Sequence, residues 1–217
     1  MGEVGVSGLF KRAFMIKHNY PGKFIVIEGL DGSGKSAQAD LLANFLSEKG
    51  KEYILKNEPT TESKAGRKIK QALKKEIKVE PLELQKLYVQ DRTEHLANKI
   101  IPALKEGKYV VCSRYAFSTV AYGHANGLDA QYLMKLNDHF LLPDATIVID
   151  VSVAECIKRI EKRGGGKELF EKKERLKRAN EIYKKLHTLY ENVTLVDGSK
   201  SPEKVFGEVK EIVNNLS

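Results

Sequence analysis

Apolar residues along the chain fall into two rhythms that alternate from one end to the other. Short continuous runs come first: KFIVIEG at 23–29, EYIL at 52–55, KYVVCS at 108–113, ATIVIDV at 145–151 and VTLVDG at 193–198. Unbroken runs of this length predict strands covered on both faces. Between them lie stretches with helical signals. Residues 36–50 read as a helix closed by Gly50, and 66–76 as a basic helix. Residues 81–108 read as one long helix starting at Pro81 and kinked or divided at Pro102. Residues 152–163 read as a helix ended by Gly164, Gly165 and Gly166, and 201–216 as the last helix. A charged stretch occupies 167–192. Strands alternating with helices predict an α/β fold: three layers around a mostly parallel sheet.

Composition narrows this further. With 217 residues, of which 41% are hydrophobic and 30% charged, one ordinary core is expected, spanning 23–217. Residues 1–22 are an extension that reads equally as an ordered arm, a frayed tail or an upstream start. They lack the apolar centre and cleavage site of a leader, and no run elsewhere is long enough to span a membrane, so a cytoplasmic location is expected. The net charge of +8 suits nucleic acid or a polyphosphate. No aromatic–basic interleaving or zinc-finger spacing supports nucleic acid. Cys112 and Cys156, both in element-like stretches, read as buried thiols rather than a disulfide framework.

The most informative segment is Gly29-Leu30-Asp31-Gly32-Ser33-Gly34-Lys35-Ser36, which fits G-x-x-x-x-G-K-[ST] between a strand and a helix. Such a turn points backbone N–H groups inward, and the helix start adds the positive end of its dipole. Lys35 is placed to reach the β- and γ-phosphates of a nucleotide and Ser36 to hold Mg²⁺. Switch GTPases, ATPases and small-molecule kinases share this loop. No guanine-reading NKxD segment follows, and the short, basic chain favours a kinase of a small phosphorylated acceptor.

Three further segments carry candidate chemistry. Asn57-Glu58-Pro59 ends the second strand, on the edge where ligands collect in open α/β sheets. Glu58 there is a second candidate metal ligand. Tyr88 and Arg92 share one helix face, so an aromatic plane and a guanidinium could hold a base; the plainer alternative is a core tyrosine and an arginine paired with a surface acid. Arg114 ends the strand at 108–113 and is a phosphate clamp or a structural ion pair. Ser118 and Tyr122 continue from it as candidate pocket walls.

These segments, GLDGSGKS, the EP pair, LYVQDR, SRYAFSTVAY and TIVIDV, occur in the order found in thymidylate kinases, and the chain resembles that family over residues 23–217. The resemblance implies a P-loop nucleotide kinase fold with a five-stranded sheet, a helical lid at about 160–175, and a homodimer. It implies transfer of the ATP γ-phosphoryl group to dTMP with Mg²⁺, using Lys35, Arg114 and the lid residue Arg163, with Lys167 a weaker lid donor. Gly29 to Ser36, Arg159 and Ser199 would hold ATP. Asp31, Glu58, Pro59, Tyr88, Arg92, Arg114, Ser118 and Tyr122 would hold the acceptor. Two positions depart from the family pattern: Asn57 stands where relatives have arginine, and Ser113 where they have aspartate. Arg67 or Lys68 could supply the missing phosphate contact. Another acceptor such as dUMP, or a nucleotide-binding protein without transfer activity, are the alternatives.

Overall fold

The computed structural model describes residues 15–162, 164 and 169–216. Five strands form one sheet: β1 (Lys23–Gly29), β2 (Tyr53–Asn57), β3 (Tyr109–Ser113), β4 (Ala145–Asp150) and β5 (Val193–Asp197). Their order is β2-β3-β1-β4-β5 and every pairing is parallel. The central position of β1 explains its composition: Phe24, Ile25, Val26 and Ile27 are all fully buried, so neither face of the strand can be polar. β2 is an edge strand with alternating exposure. It runs on to Asn57, beyond the apolar EYIL, because its pairing with β3 continues to Asn57 opposite Ser113.

Helices cover the sheet: α1 (Lys35–Glu48), α2 (Lys64–Leu73), α3 (Pro81–His95), α4 (Ile101–Lys105), α5 (Ala116–Ala125), α6 (Ala130–Asn137), α7 (Val153–Lys162), α8 (Leu169–Leu189) and α9 (Pro202–Asn214). α1 packs on α9, while α5 packs along α8. The predicted 81–108 helix is almost continuous, but its irregularity precedes Pro102 rather than sitting on it. Residues Leu96–Ile100 form a π turn, closed by the Ile101 N–H donating to the Leu96 carbonyl. Proline lacks an N–H and its ring crowds the carbonyl four residues earlier, and a widened turn there is one way to absorb that misfit. α6 was not anticipated. The stretch at 167–192 holds α8, whose Leu176, Ala179, Tyr183 and Leu186 are buried at helical spacing beneath a largely charged surface.

Ile16 and His18, ahead of β1, are tied to the segment that precedes β4. Ile16 bridges Leu141 in parallel and its N–H donates to the Phe140 carbonyl at 2.9 Å. His18 Nε2 lies 3.2 Å from Asp144 Oδ2, which also accepts the Phe24 N–H at 2.6 Å.

Both cysteines are free and buried. Burial pushes the Cys156 thiol up to about 11 and Cys112 well above its ordinary value. Since the thiolate is the reactive form, neither is expected to react with a thiol reagent at pH 8 in the folded protein. Both react after unfolding in urea. Rapid labelling of the native chain would contradict this burial.

Candidate active site

In the strand order β2-β3-β1-β4-β5, the connection leaving β1 runs one way across the sheet and that leaving β3 runs the other. Open α/β sheets bind ligands in the crevice at such a reversal. Here the crevice lies between the glycine-rich loop after β1 and Arg114 after β3. Arg114 is fixed there by its N–H donating to the Ile27 carbonyl at 3.0 Å.

The loop turns into α1 at Gly34, which caps the helix in the left-handed region with φ 96°. A β-carbon disfavours that conformation, which accounts for glycine here. α1 receives no side-chain cap, so its first N–H groups stay available to an anion. Lys35 is only 8% exposed. Its Nζ donates to the Leu30 carbonyl at 3.2 Å and lies 3.7 Å from Asp31 Oδ1. Burial first, then the nearby Arg114 charge, bring its pKa down from 10.5 to about 8 against the pull of Asp31 and Glu28. Arg159 braces the outer side of the loop. Its Nη1 donates to the Ser33 carbonyl and its Nη2 to the Gly198 carbonyl, both at 3.3 Å, while Glu155 accepts from Nε at 2.9 Å. The loop after β5 therefore meets the phosphate loop through one side chain. Ser199 is held by Asp197, with Oγ donating at 2.6 Å.

Asp31 joins this cradle to a second pocket. Its carboxylate pairs with the Arg114 guanidinium, and its N–H donates to the Tyr122 hydroxyl at 2.9 Å. Arg114 Nη1 donates to Ser118 Oγ at 3.0 Å, and its guanidinium carbon stands 5.0 Å from the centre of the Tyr122 ring. The backbone of Arg114 has φ 71°, an uncommon conformation for a residue with a β-carbon and one that recurs at functional sites. A cavity of about 190 Å³ opens from this cluster, lined by Asp31, Tyr88, Arg114, Ser118 and Tyr122 among others. Burial pushes the phenols of Tyr88 and Tyr122 up to about 12, so both stay neutral at ordinary pH.

Arg92 also borders this cavity, but its guanidinium is mostly committed within the protein. Nε and Nη2 meet Glu58 Oε2 at 2.9 and 2.8 Å, Nη1 meets Asn137 Oδ1 at 2.5 Å, and Nη2 meets Thr119 Oγ1 at 3.1 Å. The expectation of a surface acid as partner gives way to a buried one. Glu58 spends its other oxygen on His95 Nδ1 at 3.0 Å. Its two oxygens are thus engaged inside the protein, which leaves Glu58 poorly suited to ligate a metal. Glu58, His95 and the Cys112 sulfur do converge within 4.8 Å. Glu58 already pairs with Arg92 and His95, and the Cys112 thiol donates to the Arg114 carbonyl at 3.2 Å, so Glu58 and Cys112 both have partners within the protein.

A larger cavity of about 490 Å³ lies across Pro59, lined by Ser36, Asp40, Lys56, Lys70, His95 and Ser113 among others. Ser113 Oγ and His95 Nε2 are buried without a hydrogen-bond partner among the described residues. Asn57 and Ser113 stand opposite each other in the β2–β3 register and line this cavity together. Arg67 lines neither cavity; its Nη1 donates to the Thr61 and Glu62 carbonyls at 3.0 and 2.6 Å. Lys56 and Lys70 are the cations that face the larger space. Arg163 and Lys167 lie outside the described residues.

Two carboxylates that hold the site together went unremarked in the sequence. Glu28, fully buried, accepts from the Tyr115 N–H at 2.8 Å, the Ser118 N–H at 3.0 Å, Ser118 Oγ at 2.5 Å and the Tyr183 hydroxyl at 2.9 Å. Asp91 accepts from the Thr60 N–H at 2.8 Å, Thr60 Oγ1 at 2.6 Å and Ser63 Oγ at 2.5 Å, fixing the loop after β2. The signal for Glu28 was available: a lone carboxylate inside FIVIEG must find several partners once that strand is buried.

A model of the family described as thymidylate kinase matches residues 27–209. Similar curated proteins include the "Probable thymidylate kinase" of Pyrococcus horikoshii, 36% identical over 89% of this chain and 97% of that protein. The "Thymidylate kinase" of Desulfotalea psychrophila is 39% identical over 79% and 85% of the two chains. That of Brachyspira hyodysenteriae is 33% identical over 87% and 91%. Together with a parallel five-stranded sheet carrying a phosphate loop on its central strand, these matches show that the chain belongs to the thymidylate kinase family.

Proposed function

We propose that this protein transfers the γ-phosphoryl group of ATP to dTMP, giving dTDP and ADP. The observation that carries this reading is Asp31, which bonds Arg114 at the smaller cavity and approaches Lys35 in the phosphate cradle. Two cations thus converge on one carboxylate oxygen, which supplies positive charge for two phosphates held near one point. The family's thymidylate kinases and the tyrosine-lined second cavity support dTMP as the acceptor.

Phosphoryl transfer asks the protein mainly to align oxygens and to offset charge on the moving group. The uncapped N-terminus of α1 and the loop N–H groups receive the donor phosphates, and Lys35 neutralises them from a nearly dry position. Arg159 and Ser199 shape the side where the nucleoside of ATP would rest. Arg114, pre-set by Asp31 and Ser118, receives the acceptor phosphate. Tyr88 offers a neutral face for the base, and Tyr122 lies against the sugar. An acceptor phosphate is already a competent nucleophile near neutral pH, so no strong general base is needed. A lid near 160–175, bearing Arg163, would close over the reaction and exclude water.

The residues also fit Mg²⁺. Ser36, Asp40 and Ser113 line the same cavity, and Ser113 Oγ is without a hydrogen-bond partner among the described residues. Mg²⁺ keeps several waters and takes much of its coordination from substrate phosphates, so few protein donors suffice. The ion would neutralise charge on the donor phosphates. Ser36 would hold it directly, and Glu58 would serve as the anchor of the neighbouring loop.

Incubation with ATP and Mg²⁺, with dTMP, dUMP or other monophosphates in turn, tests the assignment by identifying the diphosphate formed. dTDP as the preferred product is expected. ATP binding without any diphosphate product would overturn it, and preferred turnover of another monophosphate would move the assignment to that acceptor.

A further inference from the structure

α3 presents a third residue to the acceptor cavity on the same face as Tyr88 and Arg92. Gln85 precedes Tyr88 by three positions and lines the same space. It is 1% exposed, and its Oε1 is buried with no hydrogen-bond partner among the described residues. A buried amide oxygen without a partner is costly to keep. In a side chain that lines a cavity meant for a ligand, it is a ready acceptor. Its seat depends on Gly123 of α5: a β-carbon there would lie 3.3 Å from Gln85 Cδ and 2.6 Å from Leu133 Cδ1. Any larger side chain at 123 would press on the amide.

We infer that Gln85 is a specificity-determining residue that reads the edge of the acceptor base, taking the N3–H of a pyrimidine imide on its Oε1. The inference rests on the smaller cavity being the acceptor site. Arg92 supplies the other half of the reading. Its guanidinium has five N–H groups; hydrogen bonds to Glu58, Asn137 and Thr119 take three of them, and Nη2 also pairs with Glu58. Arg92 lines the same cavity and has N–H groups beyond those three bonds. A side-chain amide can turn over to suit either a donor or an acceptor, but a guanidinium only donates. A carbonyl beside an N–H therefore fits this pair, as in thymine or uracil. Cytosine would set its amine against the Arg92 donor. Tyr88 fixes the plane in which the edge is read.

The test is steady-state kinetics with ATP and either dTMP or N3-methylthymidine 5′-monophosphate, which lacks the N3–H. The parent is expected to prefer dTMP strongly. Gln85→Leu should lower kcat/KM for dTMP by about 10- to 100-fold, mostly through KM. It should also shrink the preference for dTMP over the methylated analogue by at least about 10-fold, because an apolar side chain no longer asks for a proton there. Gln85→Met, unbranched and close in size, serves if the leucine variant does not fold, and unchanged ATP affinity reports an intact cradle. A variant that keeps both the dTMP kcat/KM and the preference within about twofold of the parent overturns the inference. Failure of the parent to make dTDP strikes the acceptor assignment itself, whereas parent turnover with unaltered preference in the variants strikes Gln85 alone.

Discussion

Replacing Lys35 by alanine is expected to lower kcat at least ~10²-fold, the scale seen when one donor that stabilises a transition state is removed. The argument is its burial. At 8% exposure the ammonium has little water to replace it, so the charge lost from the cradle is not made good by solvent. The same change cuts the ties to Leu30 and Asp31 that hold the loop in shape. Single-turnover measurements separate chemistry from product release, and a rate near the parent's would remove Lys35 from the reaction. The pH profile is an independent check. The charged form is the working one, and its pKa of about 8 means the free enzyme loses that charge as pH rises through this value. kcat/KM should therefore fall on the alkaline side of about pH 8. The limb in kcat should lie higher, because bound polyphosphate favours the protonated amine. Stability runs the other way. Between the folded pKa of about 8 and the ordinary 10.5, the unfolded chain holds a proton that the folded one has released. Stability gained from this group therefore rises with pH across that window.

The strand, glycine turn and helix start around Lys35 were legible in the sequence because everything they need is local. A central strand buried on both faces gives an unbroken apolar run, and the glycines, Lys35 and Ser36 follow within a few residues. Tyr88 and Arg92 were likewise placed on one helix face by spacing alone, and both line the smaller cavity. What Arg92 does there was not legible. Its partners Glu58, Asn137 and Thr119 are 34, 45 and 27 residues away, and nothing short of the fold says that they meet. Arg67 shows the opposite error: a basic residue in the right helix was offered as a phosphate contact, but it folds back on the Thr61 and Glu62 carbonyls. Lys56 and Lys70 took the positions facing the larger cavity for reasons of register and helix phase. Gln85 escaped notice because a glutamine among PLELQKLY carries no pattern. Only its burial beside a cavity distinguishes it.

Arg92→Met is expected to destabilise the fold by about 3–5 kcal/mol, the range for breaking one side of a buried ion pair. Arg92 is 1% exposed and Glu58 2% exposed, so neither reaches water when its partner is lost. Methionine fills much of the space but leaves a carboxylate, the Asn137 Oδ1 and the Thr119 hydroxyl without the donors they now meet. The packing of the guanidinium over the Tyr115 and Phe140 rings, at 5.0 and 5.4 Å, goes with it. Most of the cost arises from the stranded Glu58 charge. Adding Glu58→Gln to the methionine variant should therefore recover at least about 1 kcal/mol, although Glu58→Gln alone is itself destabilising. Urea unfolding of the parent, the two single variants and the double variant closes this cycle, provided the denaturant slopes agree. A loss below about 1 kcal/mol in Arg92→Met, or additive losses in the double variant, would mean that the pair is held open to solvent. The part of the smaller cavity that Arg92 helps to line would then be softer than these contacts describe.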